Sequence, residues 1–342
     1  MLGQETKFTR TIHAAAAEHP QRVVFAEGEH NTMMKAAVQA KTEGICYPIL
    51  LGNPNRLRRM AARLKLDLTG IELIDMRADQ EQGRRATYAK HLSEKRARDG
   101  YTFQEAYDKM YERNYFGMMM VETGDADAFI TGLYTKYSNT IKVAKEVVGI
   151  REGNSTFGTM HIINSPKGIL YLGDTLVNGD PTTDDLVAIA KLAAHTVDFF
   201  NDTPNIAMIS YSNFGSDKAP GSQKVKDAVA RLHQEEPELC VDGEMQIGCA
   251  LNRQLRDDLY PFSKLAGKDC NTLVFPNLTS ARSAYKLLQM LSNDVEIIGP
   301  VQMGLNKPIH FTDSESSVRD VVNITAIASL DAYVEKIKGG RK

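Results

Sequence analysis

The chain has 342 residues, more than one ordinary hydrophobic core accommodates, so two domains are expected. Apolar residues make up 42% and charged residues 25%, which fits a soluble globular protein. A net charge of −2 with the signs interspersed argues against a nucleic-acid groove or an anionic membrane surface as partner. Four cysteines, Cys46, Cys240, Cys249 and Cys270, form no CxxC pair, and three sit in apolar runs. They read as reduced core thiols of a cytoplasmic protein, not as a metal site or a disulfide framework. The first ten residues are polar, and no apolar run reaches membrane-spanning length. The start MLGQETKF is compatible with a natural terminus or with an internal cut.

Residues 9–19 read as a helix that Pro20 stops. Residues 22–26 (RVVFA) form a short strand, followed by the turn Glu27-Gly28-Glu29. Asn31 and Thr32 are candidate caps for a helix over 33–41, which Gly44 ends. The strand 45–51 runs into Gly52-Asn53-Pro54-Asn55 and a further helix, and 71–75 is strand-like. This alternation predicts a doubly wound parallel sheet. Residues 80–98 form a charged helix with Arg96 near its end, by default a solvated face. Thr102 caps a Met- and Tyr-rich helical stretch over 103–121. Its run YFGMMMV is apolar enough for core, yet the stretch as a whole carries surface enough for self-association. A strand over 128–131 leads through the polar loop 132–138 into a helix reaching 147.

After Gly149 the pattern changes, and a domain boundary is expected at 149–154. Residues 159–164 and 168–172 flank Ser165-Pro166-Lys167 as a hairpin. Asp180-Pro181-Thr182-Thr183 opens the helix 184–199. Residues 205–210 are a buried strand, and helical spacing resumes at Val225, Val229 and Leu232. Between them lies a small-residue loop holding Ser210, Ser212, Asn213, Gly215 and Ser216. Such a loop at the carboxyl edge of a parallel sheet suits phosphate through its backbone N–H groups. The plainer alternative is an ordinary strand-to-helix turn, since neither GxGxxG nor GxxxxGK[ST] is present. Residues 239–251 carry Gly243 and Gly248. A strand over 271–275 ends at Pro276-Asn277, a helix covers 280–291, and 295–300 is the last clear strand. Lys307-Pro308 punctuates before the final helix at 317–337.

Taken in order, RVVFAEGE, GNP, YFGMMMV, ITG, DPTTDDLVAIA, NIAMISYSNFGS, VFPNL and IGPVQMGLNKPIH resemble the phosphate acetyltransferase/butyryltransferase family from about residue 22 to 332. The resemblance implies an α/β fold of two three-layer α/β/α domains with a cleft between them, isocitrate/isopropylmalate dehydrogenase-like. It implies a first domain of 1–150 plus 305–342 and a second of 151–304. It also implies binding of acetyl-CoA and phosphate, no metal, and a homodimer or higher homo-oligomer. It places ligand contacts at Arg96, Thr131, Lys136, Lys142 and Asn277, with the loop Ser210, Ser212, Asn213, Gly215 and Ser216.

In resembling active enzymes the segment after Lys-Pro carries a Ser-Arg pair, with an Asp seven residues after the Ser. Here Asp313 and Ser314 stand at the pair, and Asp320 keeps the third position. Thr135 and Lys136 stand where the family has His-Thr, and Lys142 where it has Arg. Loss of a fixed cation from an oxyanion site typically costs about 10²–10³ in rate. Asp320 reads as a base or as a solvated residue of a helix first turn. The stretches DDLYPFSKLAGKDCNTLVFPNL and KPIHFTDSESSVRDVVNITAIASLDA resemble more narrowly the C-terminal domain of bacterial NADP-dependent malic enzymes. That resemblance implies an acetyl-CoA-responsive, oligomerising domain attached to a malic-enzyme domain of the same natural chain. The alternatives are an active phosphate acetyltransferase and a purely structural dimerisation module.

Overall fold

The computed structural model describes residues 6–134, 137–292 and 294–339. The chain divides into two compact units, Met1–Gly149 with Leu305–Lys342, and Ile150–Gly304. In chain order the first unit begins with α1 (Lys7–Glu18), β1 (Gln21–Phe25), α2 (Asn31–Thr42), β2 (Cys46–Leu51), α3 (Pro54–Leu64) and β3 (Glu72–Ile74). It continues with α4 (Gln82–Lys95), α5 (Phe103–Lys109), α6 (Arg113–Thr123), β4 (Ala128–Thr131) and α7 (Tyr137–Val147). The second unit holds β5 (Gly158–Ser165), β6 (Gly168–Gly173), α8 (Thr183–Phe199), β7 (Ile206–Ile209), α9 (Pro220–Glu235) and β8 (Val241–Met245). It ends with α10 (Ile247–Leu251), α11 (Arg253–Leu259), β9 (Thr272–Val274), α12 (Leu278–Leu291) and β10 (Glu296–Met303). The chain then re-enters the first unit as β11 (Ile309–Phe311) and α13 (Val318–Gly339).

The first unit has a five-stranded sheet in the order β11-β4-β1-β2-β3, with every pairing parallel. The second has a six-stranded sheet in the order β10-β5-β6-β9-β7-β8. There β10-β5 and β5-β6 are antiparallel and the remaining pairs parallel. The doubly wound parallel expectation therefore describes the first sheet, while the second is mixed because the 165–167 hairpin reverses the chain. Val23, Val24 and Phe25 of β1 are fully buried. They lie between β2 and β4, as near-continuous apolar strands of parallel sheets do.

Local signals place most helix starts. Thr102 and Glu105 form a reciprocal capping box on α5, and Thr182 and Asp185 form one on α8. Asn53 caps α3 by accepting from the N–H groups of Asn55 and Arg56, with Pro54 in the first turn. For α2 the cap is His30, whose Nδ1 accepts from Thr32 N at 3.2 Å, one residue earlier than expected.

Two elements depart from the sequence reading, and a third stretch, 239–251, carries no element in that reading. The stretch 103–121 is two helices, and in α6 every residue from Asn114 to Val121 is buried. Gly117 leaves room there for Phe129 and Leu51, so the methionine run packs inside the first unit and is no free surface. A strand beyond 300 exists: Ile309–Phe311 pairs with β4 and completes the first sheet. Residues 239–251 hold β8 and α10. Exposed apolar side chains gather instead on α11 and α12, where Leu259 is 58%, Met290 71% and Leu291 77% exposed. Among the described residues no helix is long and apolar enough to cross a membrane.

The turn after β1 is tightly held. A Cβ on Gly28 would sit 2.6 Å from the Leu51 carbonyl oxygen and 3.1 Å from Leu50 Cβ. Backbone cannot yield as a flexible side chain does, so Gly28→Ala is expected to lower unfolding free energy by about 1–3 kcal/mol. Urea denaturation checks this, and an unchanged midpoint contradicts it.

Candidate functional site

The carboxyl edge of the first sheet is organised by Glu27, which follows β1 and is 1% exposed. Its carboxylate accepts from Gly132 N at 3.1 Å, from the Thr131 hydroxyl at 3.0 Å and from Tyr134 N at 3.5 Å. The Thr131 hydroxyl also lies 3.0 Å from Asn114 Oδ1, so its one proton is shared between two acceptors. Gly132 has φ +137°, and a Cβ there would meet the Thr312 carbonyl oxygen at 2.3 Å. That close approach lets β11 deliver Asp313 beside the loop that follows β4. Sequence reading recorded Glu27 only as a turn residue. Its partners lie more than 100 positions away, which no local signal encodes.

Within 313–320 the side chains of Asp313, Ser317 and Asp320 hold backbone donors. Asp313 Oδ1 accepts from the Ser314 hydroxyl at 3.2 Å and from Glu315 N at 3.4 Å. Asp320 Oδ2 accepts from Ser317 N at 2.8 Å, and Ser317 Oγ accepts from Asp320 N at 3.2 Å. Asp320 thus completes a reciprocal cap at the start of α13.

The cations named from sequence are placed as follows. Arg96 donates to the Glu146 carbonyl at 2.7 Å and to the Lys145 carbonyl, and its Nη1 reaches Asp99 at 3.4 Å. Its guanidinium therefore closes the carbonyl end of α7. Lys142 has a 70% exposed side chain, 3.7 Å from Glu146. Lys136 and Thr135 lie outside the described residues. Glu146 accepts from Tyr101 at 2.6 Å and from Tyr115, with Lys109 at 4.0 Å. Burial pushes its carboxyl up, but the two tyrosine hydroxyls and the ammonium groups of Lys109 and Lys142 outweigh this and hold it below the usual range. Tyr101 is pushed up to about 12 by burial and by its bond to Glu146.

In the second unit the loop after β7 folds around Glu244, which is 1% exposed. Glu244 accepts from the Ser212 hydroxyl at 3.1 Å and from Gly215 N at 2.6 Å, while its carbonyl takes Phe214 N at 2.8 Å. Ser212 N donates to Ser210 Oγ, Asn213 N to Ser216 Oγ, and Ser216 N to the Asn213 carbonyl. Every backbone N–H from Ser212 to Ser216 is thus engaged inside the second unit. Asn213 Oδ1 accepts from Gln246 N at 2.8 Å. The small residues build a tight internal turn, with Gly215 at φ +85°. Asn277 caps α12, accepting from Ser280 N at 2.9 Å.

A feature that sequence reading did not raise lies along the same carboxyl edge of the first sheet, toward β3. A cavity of about 560 Å³ is lined by residues following β1, β2 and β3, by the start of α6, and by Tyr134. Arg113 and Arg77 line it. Neither guanidinium has a carboxylate partner among the described residues. Arg113 lies 5.6 Å from the Tyr134 ring centroid, and Arg77 Nε is 3.4 Å from the Tyr111 carbonyl.

The Glu146 cluster gives a pH-dependent expectation. A carboxyl depressed in the folded state stabilises above its unfolded value of about 4.5 and loses that contribution as pH falls through the folded value. Glu146→Gln is expected to cost about 1–2 kcal/mol at pH 7. Thermal unfolding followed from pH 7 downward checks the sign. The gap to the natural chain closes on acidification, and a gap that widens refutes the assignment.

Comparison with known proteins places this geometry. The profile of the phosphate acetyl/butaryl transferase family matches residues 7–329. An NADP-dependent malic enzyme of Escherichia coli K12 is 34% identical over 331 residues, covering 96% of this chain but 44% of that protein. The chain thus spans less than half the length of the malic enzymes it matches from Escherichia coli and Salmonella typhimurium. A phosphate acetyltransferase of Corynebacterium glutamicum is 31% identical over 321 residues, covering 94% of this chain and 96% of that protein. A phosphotransacetylase structure from Streptococcus pyogenes superposes with a TM-score of 0.85 at 29% identity, covering 95% of this chain and 99% of that one. With its parallel and mixed sheets and the match running nearly end to end, the chain belongs to the phosphate acetyl/butaryl transferase family.

Proposed function

We propose that the chain is a CoA-thioester-binding module of this family in which acyl transfer to phosphate has been lost. The observation that carries the reading is the 313–320 segment. Asp313 and Ser314 stand where resembling enzymes have Ser-Arg, so a carboxylate replaces a neutral hydroxyl and no guanidinium follows it. Phosphate transfer requires stabilisation of developing negative charge, and an added anion works against it. Asp320, the residue in the position of the base, is engaged as a helix cap. Ligand binding draws on other parts of the fold, so it survives the loss of these groups. In a polypeptide that also carries a malic-enzyme region, as the Escherichia coli relative's name describes, binding of acetyl-CoA here would bias that region's activity through differential affinity.

A second reading, a working phosphate acetyltransferase, is favoured by the Corynebacterium glutamicum relative, which this chain matches over nearly its whole length. One pair of measurements separates the two. Calorimetric titration with acetyl-CoA is expected to give heat, weakened several-fold in Lys142→Ala, which removes a 70% exposed ammonium lying 3.7 Å from Glu146. Acetyl phosphate formation from acetyl-CoA and phosphate is expected to be absent. A turnover of about one per second or faster establishes the second reading. Absence of both heat and turnover leaves the structural module.

Self-association through the apolar side chains of α11 and α12 belongs to the same proposal. Exposed apolar side chains in such number on α11 and α12 are what an interaction surface supplies. Sedimentation at micromolar concentration is expected to show a dimer or larger species, and Met290→Glu with Leu291→Glu to shift it toward monomer. A natural chain that sediments only as monomer rules this surface out.

A further inference from the structure

We propose that the first unit carries a binding site for a phosphorylated ribonucleoside, in the cavity bounded by the carboxyl ends of β1, β2 and β3. Its volume of about 560 Å³ falls among small-molecule sites. It also lies at the edge where open parallel sheets take ligands. It extends away from the 313–320 segment: the strand β11, which leads to Asp313, is two steps from β1, three from β2 and four from β3. At about 4.8 Å per step this amounts to roughly 10–19 Å. The near side of the cavity adjoins the Glu27 network, since Asn114 and Tyr134 line it.

The chemistry of the lining selects the ligand. Arg113 and Arg77 bring two guanidinium groups that have no carboxylate partner among the described residues. A phosphate matches them in charge and in the planar fork of donors. Beside them stand acceptors held in fixed positions. Asp75 takes the Asn53 amide and Arg77 N, each at 3.1 Å, and Glu29 takes Asn53 N at 3.0 Å. Glu29 is also paired with Arg56 at 3.6 Å, whereas Asp75 keeps lone pairs beyond its two bonds. An acidic side chain at a strand end suits a ribose diol, as it does in dinucleotide folds. Inorganic phosphate gains nothing from such groups. Tyr134, 58% exposed, supplies an aromatic ring for a base. Cation pair, carboxylates and ring together fit phosphate, ribose and base.

The site does not rest on the proposed function, although the nucleotide end of CoA shares this chemistry with a free nucleotide. Calorimetry on the full chain with ADP, deoxy-ADP and inorganic phosphate is the test. ADP is expected to bind in the sub-millimolar range, and phosphate alone at least about tenfold more weakly. Arg113→Met and Arg77→Met are each expected to weaken ADP about tenfold, and Arg113→Lys less than Arg113→Met. Asp75→Asn is expected to reduce the preference for ADP over deoxy-ADP. Unfolding midpoints of the variants separate lost binding from lost fold. No heat from ADP at millimolar concentration overturns the proposal. So does a folded Arg113→Met that binds ADP as tightly as the natural chain. Competition between acetyl-CoA and ADP upholds the site with CoA as its source. Independent binding upholds it with a free nucleotide as its source.

Discussion

Both units depend on acidic side chains held out of water at the ends of parallel strands. Glu27, Asp174 and Glu244 are each under 5% exposed. Burying a carboxylate is costly unless donors surround it, and buried loop N–H groups are costly unless they find acceptors. Each requirement meets the other here, except that Glu244 Oε2 is buried without a hydrogen-bond partner among the described residues. Glu27 gathers the loop after β4, and Glu244 gathers the loop after β7. Asp174, directly after β6, accepts from Thr159 N at 2.9 Å, Leu176 N at 3.0 Å and Asn178 N at 2.7 Å. The loops at the carboxyl edges are therefore fixed from within, and whatever they present outward is set by what the acids leave unused.

This constraint explains where sequence reasoning succeeded. Elements were legible wherever the information is local. The capping boxes at Thr102 and Thr182, the hairpin around 165–167 and the strand of β1 all follow from residues within a few positions. The short strand β11 was missed because three residues after Lys307-Pro308 carry no period of their own. Its strand character comes from pairing with β4, far away in the chain. The helical stretch 103–121 leaves core and self-association both open in the sequence for the converse reason. Its apolar content is plain in the sequence, but the direction it faces is decided by Gly117 against Phe129.

The loop at 210–216 shows the limit at a candidate site. Small residues and a glycine at positive φ are what a phosphate cradle needs, and equally what a turn wrapped around an internal acid needs. Glu244, 29 residues beyond Gly215, takes the Gly215 N–H and the Ser212 hydroxyl and so builds the turn, which no local signal encodes. Cations raise the same ambiguity. Arg96 and Arg113 are the same residue type, each at the end of a helical stretch. Arg96 meets the carbonyl end of α7, whereas Arg113 meets an aromatic ring and open volume. Composition counts charges, but only the fold shows which of them already have partners.

The departures at 313–320 can be weighed on the same basis. A helix start needs acceptors for its first N–H groups, and Ser317 with Asp320 satisfies that need whatever else the segment does. Such a cap contributes about 1 kcal/mol, so keeping Asp320 has a structural reason independent of catalysis. Asp313 does similar work one turn earlier and accepts the Ser314 hydroxyl as well. Many residues would support the short turn they occupy, in which Asp313 accepts from Glu315 N. The backbone thus uses both the retained Asp320 and the altered Asp313, so each has a structural reason that stands apart from any chemistry of transfer.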